Sequence, residues 1–174
     1  MRAIETLYMG YRFRSRLEAR WAAFYDKLGV KWAYEEEGFD LRFDANESVF
    51  YLPDFHLEGI GYIEIKPKEP DAIENKKAER LALHTKENVY IFFGEIPFPE
   101  PNMEYQDSAH VFLADGHGWD MHQWWCRCAT CGKFGIEFEG RSDRICRHGD
   151  SDRGHNADDE LLREAYAVAR AFRF

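Results

Sequence analysis

Asp54, Glu64 and Lys66 have the residue types and spacing of a site that handles phosphate through a metal ion. Asp54 lies in Tyr51-Leu52-Pro53-Asp54-Phe55, and ten residues later comes Glu64-Ile65-Lys66. Side chains two apart in a strand share a face, so Glu64 and Lys66 project together, roughly 6–7 Å apart, while Ile63 and Ile65 point the other way. A hairpin turning at Gly59-Ile60-Gly61 lays the Asp54 strand beside the Glu64 strand and brings the two carboxylates together. Magnesium, or manganese in its place, takes few protein carboxylates and keeps water and phosphate oxygens, so one Asp and one Glu suit it. Such a metal lowers the pKa of the attacking water, and Lys66 then stabilises the negative charge that develops on phosphate. Glu18, on a helix beside Trp21 and Tyr25, is a further candidate carboxylate. The plainer explanation is structural: Glu-x-Lys pairs decorate solvated strands, and Ser15 with Glu18 fits a capping box.

The elements that must position these residues are legible from periodicity. Leu17, Trp21, Phe24, Tyr25 and Leu28 form one stripe of a helix over 15–28, stopped by Gly29. Strand-like segments follow at 31–35, 38–44, 48–57 and 61–67, separated by turn signals at Gly38, Asn46 and Gly59–Gly61. Antiparallel neighbours are the simplest pairing. Residues 71–86 read as a second helix, opened by Pro70-Asp71, and Val89–Phe93 as an apolar strand ended by Gly94. Pro97, Pro99 and Pro101 interrupt regular structure and suggest a boundary. The expected organisation is therefore a core over 1–100, a small cysteine-bearing lobe over 101–156, and an amphipathic helix over 157–174 carrying Leu161, Leu162, Ala165, Tyr166, Ala169 and Phe172 on one side.

The segments Phe13-Arg14-Ser15-Arg16-Leu17-Glu18, Tyr34-Glu35, Tyr51-Leu52-Pro53-Asp54-Phe55 and Ile63-Glu64-Ile65-Lys66 together resemble the PD-(D/E)XK nuclease superfamily. Within it they are most similar to short bacteriophage junction-resolving endonucleases, and the resemblance covers roughly the first 95 residues. It implies an α/β fold of the mixed, α+β kind, with a restriction-endonuclease-like αβββαβ core. It also implies magnesium ligation by Glu18, Asp54 and Glu64, a catalytic role for Lys66, a DNA substrate and a homodimer; branched or nicked DNA is the expected substrate, and RNA is the alternative that shares the same chemistry. The chain departs from those resolvases in being acidic and in carrying the cysteine region.

Cys128-Ala129-Thr130-Cys131-Gly132 has the spacing of a zinc knuckle, which supplies half a tetrahedral site. Cys146 and His148 are the expected second half, across a strand at 134–138, with His155 or Cys126 as replacements for His148. With four protein ligands the zinc is structural, and it stabilises a lobe too small to bury a core of its own. A redox dithiol fits less well, because Gly132 and Gly135 oppose the helix that such a pair requires.

Arg14 and Arg16 before and in the first helix, and Lys76 and Lys77 on the second, are candidate phosphate contacts on nucleic acid. Trp119, Trp124 and Trp125 are expected to pack the lobe rather than stack on bases. The 174 residues carry a formal charge of −9, so any nucleic-acid contact must use a local patch and metal ions rather than a global field. No run of eighteen apolar residues and no signal-peptide pattern appears, which gives a cytoplasmic expectation with no membrane partner. The alternative to cleavage is an inactive nuclease-like fold whose zinc lobe holds DNA or a protein.

Overall fold

A computed structural model of the chain describes residues 4–44, 47–98, 108–119, 123–137, 144–148 and 154–174; for Ser108 and Trp119 it describes the backbone alone. Asn46, Pro99 and Pro101 lie outside the described residues. The fold is mixed α+β. In chain order the elements are β1 (Thr6–Tyr8), β2 (Tyr11–Phe13), α1 (Arg16–Leu28), β3 (Trp32–Tyr34), β4 (Phe39–Arg42), β5 (Ser48–Tyr51), β6 (Phe55–Leu57) and β7 (Gly61–Lys66). Then follow α2 (Ala72–Thr85), β8 (Val89–Phe93), β9 (Ser108–Phe112), β10 (Gly118–Trp119), β11 (Trp124–Cys128), β12 (Phe134–Glu137), β13 (His155–Asn156) and α3 (Glu160–Ala171). No helix among the described residues is long and apolar enough to cross a membrane.

Two compact units are formed, one from residues 32–94 and 108–122 and the other from 1–31, 95–107 and 123–174. We call them the sheet unit and the cysteine unit. The grouping follows packing rather than sequence order, so the first helix joins the cysteine segment and the last helix, while β9 and β10 join the sheet.

In the sheet unit six strands pair in the order β10-β9-β8-β7-β6-β3. All neighbours are antiparallel except β7 and β8, which run parallel because α2 carries the chain from one to the other. Asp71 caps α2 by accepting from the N–H groups of Ile73 and Glu74, and Glu74 returns the bond to the Asp71 N–H, a complete capping box. β4 and β5 form their own antiparallel pair instead of entering the large sheet. Phe39, Leu41 and Tyr51 of that pair pack with Ala78, Leu81 and Ala82 of α2 and with Tyr62, Val89 and Ile91 of the sheet. Burying each large apolar side chain there contributes about 1.5–3 kcal/mol.

The single strand expected over 48–57 is two strands, β5 and β6, broken at Leu52-Pro53-Asp54. Pro53 has no N–H to give a ladder, and Asp54 spends its carboxylate on the backbone of β7. At the start of β7, Gly61 has φ 129°, and a Cβ there would lie 2.1 Å from the Asn88 carbonyl oxygen, so only glycine lets the parallel pair begin. That oxygen accepts from the Tyr62 N–H at 2.9 Å.

In the cysteine unit, Ser15 caps α1 and Gly29 ends it in the left-handed conformation. The stripe of α1 packs on α3: Phe24 and Tyr166 have ring centroids 4.6 Å apart. Trp125 of β11 is fully buried against Phe24 and Tyr25, at 5.4 and 5.8 Å between centroids. Trp124 and Trp125 are thus core residues, as their expected packing role requires. β11 sits at the centre of a three-stranded antiparallel sheet, order β12-β11-β13, and carries Cys126 and Cys128.

Candidate active site and metal centre

The sheet unit brings Asp54, Glu64 and Lys66 together through register. β6 and β7 pair Phe55 with Ile63, so Asp54, just before β6, lies beside the stretch of β7 that carries Glu64. The Asp54 Oδ2 accepts a 2.7 Å bond from the Ile65 N–H, which fixes the carboxylate at the edge of β7. Both carboxylates are buried, each in a residue 5% exposed. Charged groups in that setting need partners, and they have them. The Lys66 ammonium lies 2.7 Å from Glu64 Oε1 and 3.3 Å from Glu74 Oε1, while the Tyr51 hydroxyl donates to Glu64 Oε2 at 2.9 Å.

Each element has a local reason to deliver its side chain. Alternation along β7 puts Tyr62, Glu64 and Lys66 on the face shared with Val89 and Ile91 of β8, so Glu64 meets the α2 side of the sheet. Glu74 is the third residue of α2, and the cap that binds its Oε2 to the Asp71 N–H leaves Oε1 for Lys66. Burial pulls the Lys66 ammonium down, but Glu64, Asp54 and Glu74 outweigh it and raise its pKa above the ordinary lysine value. The Tyr51 hydroxyl is held well above its ordinary range by burial and by the negative charge of Glu64. Tyr51 and Glu74 are site residues that sequence reasoning did not single out. The signal for Glu74 was present in its position three residues after the Asp71 cap; for Tyr51 there was only proximity to the Pro53-Asp54 pair.

Glu18 lies in the cysteine unit, on the first turn of α1. Its Oε1 accepts from the Ser15 hydroxyl at 2.6 Å and its Oε2 from the Arg14 N–H at 3.2 Å, and its own N–H donates to Ser15 Oγ. Those bonds close the helix start. Arg14 and Arg16 have exposed side chains near that cap. Lys76 and Lys77 are half-buried on α2, where their ammonium groups lie 4.4 Å from the Phe43 ring centroid and 5.9 Å from that of Tyr51.

The metal centre is built by the three-stranded sheet and two turns. The Cys128, Cys131 and Cys146 sulfurs and one His148 ring nitrogen lie within 4.8 Å of one another, a Cys3His cluster that could bind a metal such as zinc. His148 Nδ1 is 3.4 Å from Cys146 Sγ and 3.6 Å from Cys128 Sγ, and the Cys131 and Cys146 sulfurs are 3.7 Å apart. Cys128 ends β11, and its carbonyl accepts from the N–H of Gly132, whose φ of 74° turns the knuckle back on itself. Both the Thr130 and the Cys131 N–H donate to Cys128 Sγ at 3.4 Å. Burial pushes that thiol up, but the two N–H donors win and bring it down to about 6. Cys146 goes the other way, to about 11, because burial and the neighbouring Cys128 and Cys131 sulfurs disfavour a second thiolate. Such a cluster of soft thiols with one imidazole suits zinc, and a bound cation would relieve the mutual repulsion of the sulfurs.

Of the alternative ligands, His155 pairs in β13 opposite Cys128 and lies 3.2 Å from Cys146 Sγ, while its other ring nitrogen is 2.6 Å from Glu137. Cys126 is fully buried inside β11. The strand expected at 134–138 is β12 over Phe134–Glu137, and Phe138 lies outside the described residues. Comparison of the chain with family models, with curated proteins and with solved structures gives no match.

Proposed function

We propose that the chain is a metal-dependent DNA endonuclease of the PD-(D/E)XK type, acting on branched or nicked DNA in recombination, repair or genome processing. One observation carries the reading: buried Asp54, just before β6, accepts from the backbone of β7 at Ile65, next to buried Glu64, with Lys66 two positions along on the same face as Glu64. Nothing in the stability of a sheet calls for two buried carboxylates side by side, since each must be desolvated and then compensated. Two hard oxygen donors of this kind fit magnesium or manganese. When bound there, such an ion supplies Lewis-acid polarisation of phosphate and an acidified water. Asp54 and Glu64 would hold it. Lys66 keeps its positive charge and would stabilise the charge that develops on the scissile phosphate, with Tyr51 and Glu74 orienting Glu64 and Lys66. Glu18 is a proposed further ligand on the resemblance to the nuclease family, and Arg14, Arg16, Lys76 and Lys77 are proposed phosphate contacts. The Cys3His cluster is proposed to hold structural zinc, all four positions being filled by protein.

A second reading, a nuclease-like protein that binds without cutting, is favoured by the net charge of −9. Cleavage of linear duplex, single-stranded and four-way-junction DNA, with magnesium or manganese, separates the two. The nuclease reading expects metal-dependent cutting by the wild type that is lost in Asp54→Ala. Binding with no cutting of any substrate would support the second reading. An acidic mimic of nucleic acid would instead bind no DNA at any salt concentration.

A further inference from the structure

Glu137 and His155 have no task in the reactions above, yet they are the most deeply buried ionisable pair in the cysteine unit among the described residues: both side chains are 0% exposed. Glu137 Oε2 lies 2.6 Å from His155 Nδ1, and its other oxygen accepts from the Ile145 N–H at 3.2 Å. Ile145 immediately precedes Cys146, and His155 Nε2 lies 3.2 Å from Cys146 Sγ. One carboxylate therefore grips the backbone next to a metal ligand and, through an imidazole, reaches that ligand's sulfur. Burying such a carboxylate and ring is costly unless the bonds they make are needed.

We propose that Glu137 and His155 form an outer shell for the metal centre, in which His155 Nε2–H donates to the Cys146 sulfur and Glu137 holds the ring and the Cys146 loop in place. The inference rests on the Cys3His cluster being a metal site. Three thiolates and one imidazole around a divalent ion leave a negative charge in a buried setting, and a donor aimed at one sulfur offsets part of it. His148 rather than His155 completes the first shell, because it is the His148 nitrogen that lies within 4.8 Å of all three sulfurs. For Nε2 to carry the donated hydrogen, the 2.6 Å Glu137–His155 contact must hold one further proton between Nδ1 and the carboxylate. His155 is thus a positioning residue and not a ligand.

The test uses the full chain loaded with zinc or with cobalt(II). His155→Phe and Glu137→Gln are compared with the wild type by zinc transfer to a chromophoric chelator and by the cobalt spectrum. Zinc affinity is expected to fall by about 10–100-fold in His155→Phe, the usual scale for an outer-shell contact, with faster transfer to the chelator, and by less in Glu137→Gln. The thiolate-to-cobalt charge-transfer band should move to lower energy in His155→Phe, because an undamped sulfur gives up charge more readily, and by less in Glu137→Gln, where the ring stays but loses the carboxylate that aims it, while the tetrahedral d–d envelope stays as in the wild type. A purely structural role would leave the band energy unmoved. Unchanged release and an unchanged band would overturn the proposal, and so would a changed d–d envelope in His155→Phe, which would make His155 a ligand. Should His155→Phe fail to fold, Glu137→Gln, equal in shape, decides the matter by the same two readouts. A wild type that takes up neither zinc nor cobalt would overturn the metal site itself, a failure distinct from that of the outer shell.

Discussion

Replacing Lys66 with methionine keeps most of the side chain's volume and removes its charge from between two carboxylates. In the wild type the ammonium lies 2.7 Å from Glu64 and 3.3 Å from Glu74. At an effective dielectric constant of about 20, attractions at those distances are each on the order of 5–6 kcal/mol before desolvation is subtracted. Most of that is offset by the cost of taking the charges out of water, and removing one partner of a buried pair typically costs about 3–5 kcal/mol. Lys66 is 25% exposed and so is partly solvated, which places Lys66→Met just below that range, at about 2–3 kcal/mol. The loss should be localised, so the assay is hydrogen exchange at the amides of β7 and β8 in the absence of divalent cations, where protection should fall by roughly 30–150-fold. The raised pKa of Lys66 fixes the sign with pH. A group whose pKa is raised by folding contributes its full stabilisation below the unfolded value and loses it as pH rises through the folded value. The gap between wild type and variant should therefore be constant from pH 6 to 9 and close only in the alkaline range. Magnesium or manganese should narrow the gap at neutral pH, because a cation held by Asp54 and Glu64 would replace the missing positive charge. Wild-type protection in Lys66→Met would refute the electrostatic account. A gap unaffected by either cation would mean that these carboxylates serve the lysine alone, and the nuclease reading would lose its main support.

Gly61→Ala should destabilise the sheet unit by about 2–4 kcal/mol, since a Cβ meets the Asn88 carbonyl in a backbone conformation that other residues rarely adopt; a thermal midpoint unchanged within a degree would contradict the clash. Cys131→Ser, or a strong chelator applied to the wild type, should cost the cysteine unit several kcal/mol, read as loss of the fluorescence of buried Trp125 before any change in the β7 amides. Metal affinity should rise between pH 7 and 9, by about tenfold per unit for each thiol proton that the ion displaces, because Cys146, at about 11, still holds its proton, whereas Cys128, at about 6, has already lost its own. Competition titrations at three pH values check this, and a flat profile would be against it.

Much of this architecture was legible because it is local. The stripe of Trp21, Phe24 and Tyr25 between Ser15 and Gly29 defines α1, and Asp71 with Glu74 defines the start of α2. Alternation in Ile63-Glu64-Ile65-Lys66 delivers the shared face of Glu64 and Lys66, and the glycine turn at 59–61 delivers the antiparallel pairing of β6 with β7. The knuckle spacing of Cys128 and Cys131 likewise found Cys146 and His148. What was hidden depends on partners far away in sequence. β9 and β10 return to the sheet beside β8 across a stretch rich in proline, and no local pattern in Ser-Ala-His-Val-Phe tells which edge it will extend. The separate β4–β5 pair was hidden for a related reason: residues 48–57 alternate like one strand, and only the lack of an N–H at Pro53 and the reach of Asp54 to Ile65 split it.

Glu18 shows where pattern and chemistry part company. Its two oxygens are bonded by the Ser15 hydroxyl and the Arg14 N–H, so the start of α1 accounts for a glutamate at that position with no reaction invoked. Asp54 and Glu64 have no comparable explanation, since the Ile65 N–H that Asp54 accepts could be met by an ordinary strand carbonyl and Glu64 would be replaced at lower desolvation cost by an apolar residue. A buried carboxylate whose partners could be supplied more simply is a better pointer to function than one that completes a cap. The weight of the proposed chemistry therefore rests on the β6–β7 pair and Lys66, and the nuclease reading stands or falls with those three residues before Glu18 is considered.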